Sequence, residues 1–396
     1  MRFFVIGIDD NKEQHFNPEI TNVISLHTVF SGGVRHREIV KDLLPVNYRW
    51  IDIKAPLPTV FEKYKPYEEI VVFASGDPLF FGFANTIQRM MPDAEIVLYP
   101  YFNSLQLLAH RLLMPYQDMH IVSLTGRPWH KFDEALIMGF DKIGILTDNK
   151  EHTPHAIADR MLYYGYDNYM MSVGELLGNK EQEKYNTYRP EDVKKQNFAF
   201  PNNIILQKTE PRPRPFGIPE CDFNLLDGRV KMITKMPVRL LSLSLLDLRD
   251  KSVFWDVGFC TGSVSVEAKM QFPHLHILAF EKREKGAELI DSNMRKFGTP
   301  GISFFTGDFL TMNTDSLPCP DAVFVGGHGG KMKEIVTKIK SVSNSKAAIV
   351  FNAVSGESRQ MFIDALLENN LVLMQDIEIK IDDFNTIHVM KGGDNI

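Results

Sequence analysis

The stretch Val253-Phe-Trp-Asp-Val-Gly-Phe-Cys-Thr-Gly262 decides how the second half of the chain is read. An apolar, strand-forming run passes into a turn with glycines at 258 and 262, and a helix-compatible segment follows. Backbone amides left free at such a helix start, together with the helix dipole, suit a nucleotide-like ligand. Cys260 stands where such turns commonly carry another glycine; a negative φ at that position is expected to keep the turn intact. Apolar runs at 275–280, 302–305, 321–325 and 347–351 follow, with helical segments near 284–297, 331–340 and 356–368 between and after them. That alternation predicts a doubly wound α/β sheet with ligands outside the carboxyl ends of its strands.

Four strand ends carry the polar residues such a site needs. Asp256, Gly258, Thr261 and Gly262 form the first turn, and Glu281 closes the next strand about 20 residues on, where an acid accepts hydrogen bonds from ribose hydroxyls. Asp308, in Gly307-Asp-Phe-Leu310, is placed to bond an adenine amino group, and Gly326 opens the glycine-rich turn 326–330. No triphosphate-binding loop and no full dinucleotide glycine fingerprint is present, which favours S-adenosylmethionine over ATP or NAD. His328, among those glycines, is a weak candidate proton donor, as is Asp9 in the first half.

Length and composition set the frame. The 396 residues predict two domains, and 44% hydrophobic with 24% charged residues is ordinary for a soluble enzyme. No run approaches the ~20 apolar residues of a membrane helix. Three scattered cysteines support neither a disulfide framework nor a cysteine zinc site, and no metal site is expected. A net charge of −6 argues against a nucleic-acid partner, and a cytoplasmic location fits best. Lys208–Pro219 holds four prolines, so the domain boundary is placed near residue 211, giving domains 1–210 and 211–396.

The first half also alternates strand and helix signals, with helices expected at 78–91, 104–114 and 154–164. A largely parallel sheet is expected, with a further sheet from 184–207 closing the half. Its strongest motif is Val71-Val-Phe-Ala-Ser-Gly-Asp-Pro-Leu-Phe-Phe-Gly82. Pro78 suits a first helical turn, with Asp77 as N-cap.

This motif, with Ser31-Gly-Gly-Val-Arg-His-Arg37, Tyr99-Pro-Tyr-Phe-Asn-Ser-Leu-Gln106 and Val122-Ser-Leu-Thr-Gly-Arg127, resembles the tetrapyrrole methylase superfamily in its precorrin C5-methyltransferase branch, across about residues 1–207. The resemblance implies a two-lobed tetrapyrrole methylase fold with S-adenosylmethionine contacts near Ser75, Gly76, Asp77, Phe80 and Ser104. It also implies cations for substrate carboxylates at Arg35, His36, Arg37 and Arg127. The first loop departs from the pattern, with Asp9 and Asp10 in place of repeated glycines.

In the second half, Gly217-Ile-Pro-Glu-Cys-Asp-Phe223, Ile233-Thr-Lys-Met-Pro-Val-Arg239, Trp255-Asp-Val-Gly258, Ser292-Asn-Met-Arg-Lys-Phe-Gly298, Asp321-Ala-Val-Phe-Val-Gly-Gly327 and Phe351-Asn-Ala-Val354 together resemble the decarboxylating precorrin methyltransferases of cobalamin biosynthesis. The resemblance implies a Rossmann-like class I S-adenosylmethionine-dependent fold. It implies methylation at C15 of a corrinoid, loss of carbon dioxide from the C12 acetate, and a homo-oligomer formed through this half. Thr234, Lys235 and Arg239 are candidates for holding the substrate's carboxylates. The two halves match consecutive steps of one pathway, so two S-adenosylmethionine sites are expected, one per domain. The alternative is one active domain beside a corrinoid-binding or scaffold domain.

Overall fold

The computed structural model describes residues 1–227, 232–343, 347–381 and 386–394. It divides into two compact units. The first comprises Met1–Pro128, Phe140–Arg160 and Asp167–Glu210; the second comprises Trp129–Gly139, Met161–Tyr166 and Pro211–Ile396.

The first unit holds two five-stranded sheets. One contains β1 (Arg2–Ile8), β2 (Val29–Gly32), β3 (Arg49–Asp52), β4 (Glu69–Ser75) and β5 (Glu95–Tyr99), in the order β3-β2-β4-β1-β5, all parallel. Continuous apolar runs such as Phe3–Ile6 and Ile70–Ala74 are buried, as expected of parallel strands covered on both faces. The other contains β6 (His120–Ser123), β7 (Lys142–Leu146), β8 (Tyr169–Glu175), β9 (Lys184–Tyr188) and β10 (Asn202–Lys208), in the order β6-β7-β10-β8-β9. Only β6 and β7 run parallel there. The expectation of a largely parallel first half therefore applies to one of its sheets. No crossover helix of full length joins β8, β9 and β10, so they pair antiparallel and extend the β6-β7 sheet rather than forming one of their own.

The helix expected at 78–91 begins later, at Phe83, with Gly82 as its N-cap. Asp77 does not cap it: Asp77 Oδ1 accepts from the Leu79 amide at 2.8 Å, closing a local turn, and Phe81 sits at φ 53°, which interrupts any helix from Pro78. The other two helices run Ser104–Arg111 and Pro154–Tyr163.

The second unit is a single seven-stranded sheet. Its strands are β11 (Val253–Val257), β12 (His276–Glu281), β13 (Ile302–Thr306), β14 (Ala322–Val325), β15 (Ala348–Ala353), β16 (Val372–Ile379) and β17 (Ile387–Gly393). The order is β13-β12-β11-β14-β15-β17-β16, parallel except for β17, which is antiparallel to both neighbours. Strand order reverses between β11 and β14, which is where an open α/β sheet leaves a crevice for ligand. Trp255 is fully buried beneath that crevice, with its indole N–H donated to the Pro318 carbonyl at 3.2 Å.

Candidate functional site

A cavity of about 640 Å³ opens at the carboxyl ends of β11, β12 and β14. That volume lies within the range of roughly 300–1,000 Å³ common for small-ligand pockets. Asp256, Gly258, Thr261, Glu281, Asp308, Gly326, His328, Thr234 and Lys235 all line it, so nine residues singled out in separate stretches of sequence meet around one space.

The strand ends are brought close by glycine. Gly326 donates its amide to the Val257 carbonyl at 2.8 Å, and a Cβ on it would sit 2.6 Å from the Gly258 carbonyl oxygen. Only a residue without a side chain lets these two turns approach. Gly262 packs against Ile290, where a Cβ would meet that side chain at 2.4 Å.

Asp256 is completely buried. Its Oδ2 accepts from Ser265 Oγ at 2.6 Å, while Oδ1 has no hydrogen-bond partner among the described residues. Burial pushes its pKa up to about 7, opposed by the Ser265 side-chain and backbone hydrogen bonds and reinforced by the charge of Glu281. A cationic ligand group would favour the ionised form.

Glu281, also buried, is held by three donors. Its Oε2 accepts from the Cys260 amide at 2.9 Å, and its Oε1 accepts from the Arg283 amide and the Arg283 guanidinium, each at 3.0 Å. A carboxylate accepts about four hydrogen bonds. One position is therefore open, and a second opens if the half-exposed Arg283 side chain swings aside.

Cys260 departs from expectation: its φ is +50°, not negative. The left-handed conformation aims its N–H at Glu281, and its Sγ lies 3.2 Å from the Met232 carbonyl oxygen. The fold thus takes up a strained cysteine where glycine would sit freely. Cys260→Gly is expected to retain turnover and to be neutral or up to about 1 kcal/mol more stable, measured by steady-state kinetics and thermal unfolding. Loss of the chemical step with ligand binding intact would show instead that the thiol participates.

Asp308 is exposed at the cavity rim, its Oδ1 accepting from the Leu310 amide at 2.9 Å. The loop after it is held by Lys338, whose ammonium donates to the carbonyls of Phe309 and Met312. His328 stacks edge-on against Phe351, accepts the Gly330 amide on Nδ1 at 3.1 Å, and has its pKa lowered by burial. A neutral ring accepting on Nδ1 carries its proton on Nε2, so it presents a hydrogen-bond donor rather than a strong acid.

Arg239 does not reach the cavity. It is fully buried, with its guanidinium bonded to Glu267 and to the carbonyls of Thr234 and Ile218. Glu267 in turn accepts the amides of Gly217 and Ile218 at 3.0 and 2.9 Å. The pair fastens the segments before the helix Met236–Leu246 instead of facing ligand; nothing local in the sequence distinguishes this arginine from a surface one. Asn352, in the stretch Phe351–Val354, carries no local sequence signal for a site, yet it lines the cavity, with Ser242 Oγ 3.0 Å from its Oδ1.

In the first unit, the ends of β1, β4 and β5 converge. A Cβ on Gly7 would lie 1.9 Å from the Gly76 carbonyl oxygen and 2.8 Å from the Tyr101 amide, so both loops close over a bare backbone. Ser75, Arg35, His36 and Asp10 form one hydrogen-bonded cluster. Asp9 instead accepts from the Asn11 amide and from Gln14 Nε2 at 3.0 and 2.7 Å. Gly76 is buried at φ +59° beside Asn103, and Phe80 packs on the cluster containing Leu105 and Leu108. Ser104 begins a helix whose preceding Asn103 forms a reciprocal capping box with Gln106. Arg127 bonds Ser123 Oγ and lies over the Phe81 ring at 5.1 Å, beside the 77–82 turn. Arg37 lies 6.0 Å from the Tyr48 ring.

The second unit therefore has the fold and crevice of a nucleoside-binding, Rossmann-like transferase domain. Residues 227–381 match the family model described as the precorrin methyltransferase domain. A precorrin-6Y C(5,15)-methyltransferase [decarboxylating] from Sinorhizobium sp is 28% identical over 368 residues, covering 91% of this chain and 86% of the relative. A probable cobalt-precorrin-6B C(15)-methyltransferase (decarboxylating) from Thermoplasma volcanium is 31% identical over 166 residues, 41% of this chain and 80% of the relative. A crystal structure of a precorrin-6y C5,15-methyltransferase from Geobacter metallireducens is 29% identical, with a TM-score of 0.42, covering 47% of this chain and all of that one. The chain belongs to the family of decarboxylating precorrin methyltransferases. As members of a methyltransferase family, such enzymes imply S-adenosylmethionine as methyl donor. No described helix is long and apolar enough to cross a membrane.

Proposed function

We propose that the chain is a bifunctional corrinoid methyltransferase. Its first unit methylates C5, and its second methylates C15 and removes the C12 acetate carboxyl group, converting precorrin-6B or its cobalt form to precorrin-8X or its cobalt form. Each unit holds one S-adenosylmethionine. The observation that carries this reading is the reach of the Sinorhizobium relative, whose 368 aligned residues include both units. Cobalt, where present, arrives within the substrate.

The cavity of the second unit fits the donor. Asp256 offers a buried carboxylate with one unpartnered oxygen for the cationic amino-acid end, Glu281 keeps an open acceptor position for ribose, and Asp308 stands at the rim for the adenine amino group. When bound, S-adenosylmethionine supplies an already activated methyl electrophile. The protein's work is then largely orientation, which contributes up to roughly 7–11 kcal/mol when reacting atoms are held in line.

Thr234 and Lys235 face the same cavity and suit the carboxylates of a polyacidic ring. His328, donating through Nε2, can hold a substrate acceptor beside the methyl position. In the decarboxylation, the electrons of the breaking C–C bond are delocalised into the conjugated macrocycle, and the former acetate CH2 carbon then takes up a proton to become a methyl group.

In the first unit, Gly76 and Asp77 shape the turn nearest the donor, Phe80 and Ser104 border it, and Arg35 and Arg127 supply cations for substrate. Calorimetric titration of the whole chain with S-adenosylhomocysteine is expected to give two binding events per chain. A single event would contradict the two-site reading.

A further inference from the structure

Ser75 closes β4 opposite Ile8 of β1, and its side chain is exposed. Two side chains that follow β2 reach its hydroxyl: Arg35 donates from Nη2 at 2.9 Å, and His36 Nε2 lies at 2.9 Å. The direction of the second bond follows from the other ring nitrogen. The Gly33 amide donates to His36 Nδ1 at 3.2 Å, so Nδ1 is an acceptor and a neutral ring must carry its proton on Nε2.

The ring is neutral in its surroundings. Burial, aided by the adjacent Arg35 charge and opposed by the Phe73 carbonyl, lowers the His36 pKa to about 4. The ionic groups next to it are Arg35 and Asp10, the carboxylate that holds Arg35 at 2.7–2.8 Å. His36, expected as a cation for substrate, therefore acts on a different partner.

We propose that His36 is a positioning residue that makes Ser75 a donor-only hydroxyl: His36 Nε2–H and Arg35 Nη2–H fill both oxygen lone pairs, and the one Ser75 proton is directed to a carboxylate of the bound ligand. A serine hydroxyl has two acceptor positions and one proton, so this arrangement leaves it no other role. Arg35 adds charge beside the same point, and the pair forms a carboxylate cradle built from one cation and one neutral donor. The inference rests on the reading of the first unit as a methylase. The carboxylate belongs either to the amino-acid end of the methyl donor or to an acid side chain of the macrocycle.

Two measurements on the full chain test it. Nitrogen-15 NMR of histidine-labelled protein, with His36 assigned by comparison with His36→Gln, is expected to show the Nε2–H tautomer, unprotonated from about pH 5.5 to about 8. An Nδ1–H tautomer, or protonation near the ordinary histidine value, would overturn the proposal. Calorimetry then compares wild type, Ser75→Ala and Ser75→Thr with S-adenosylhomocysteine and, separately, with the metal-free corrinoid precursor. Ser75→Ala is expected to weaken one of these ligands about tenfold or more, and Ser75→Thr to restore it. The ligand that responds identifies the carboxylate's source, and no change in either arm overturns the proposal. Absence of C5 methylation, with tautomer and binding as expected, would instead remove the methylase reading and leave the His36–Ser75 arrangement standing.

Discussion

Glu267→Ala is expected to destabilise the second unit by about 3–5 kcal/mol, the cost of leaving a buried charge without its partner. Glu267 and Arg239 are both fully buried, their side chains 3.2 Å apart, and Glu267 also takes the amides of Gly217 and Ile218. Removing the carboxylate strands the guanidinium and two backbone donors at once. For a unit of this size the loss corresponds to a fall in melting temperature of roughly 6–20 °C. The double variant Arg239→Met with Glu267→Leu is expected to recover the share of that loss due to the stranded guanidinium, because apolar replacement of the ion pair removes its desolvation cost, while the Gly217 and Ile218 amides stay unpaired. A shift of only a degree or two in Glu267→Ala would mean that water or a rearranged loop replaces the pair.

Asp256→Asn is expected to separate stability from activity. The folded-state pKa of Asp256 is raised from 3.8 to about 7, so the folded protein holds this proton more tightly than the unfolded chain does. The resulting stability is fully present below about pH 4 and is lost as pH rises through about 7; above that, the buried charge costs on the order of 4 kcal/mol. Asparagine carries no such cost. The variant should therefore melt higher than wild type at pH 8 without ligand, and its stability should lose the decline between pH 4 and 7. Under the proposed role, C15 methylation should fall about 10–100-fold with the loss of the carboxylate facing the cationic donor. A lower melting temperature at pH 8 with unchanged turnover would contradict both halves of the argument.

The parallel core of the second unit was legible because buried parallel strands are continuous apolar runs separated by amphipathic helices. Strand 253–257 and helix 356–368 fall at their expected bounds. β16 escaped notice because much of it is exposed at the sheet edge, without the alternation that marks a half-buried strand. β2 and β3 have only four residues each, too few for a period to register.

The cavity was legible for a related reason: in this topology the polar residues that follow successive parallel strands must converge. What sequence could not show was pairing at a distance. Arg239 looks like a surface cation until Glu267, 28 positions later, is seen beside it. His36 looks like another cation until the Gly33 amide is seen on its Nδ1. Cys260 required a φ value that only the folded turn supplies.

Two methylations and one decarboxylation by one chain leave a distinct mass signature, read by incubating the whole chain with the corrinoid precursor and isotopically labelled S-adenosylmethionine and resolving the product by mass spectrometry. The expected product has gained two labelled methyl groups and lost one carbon dioxide. A product with a single methyl, or an unchanged precursor, would contradict the bifunctional reading.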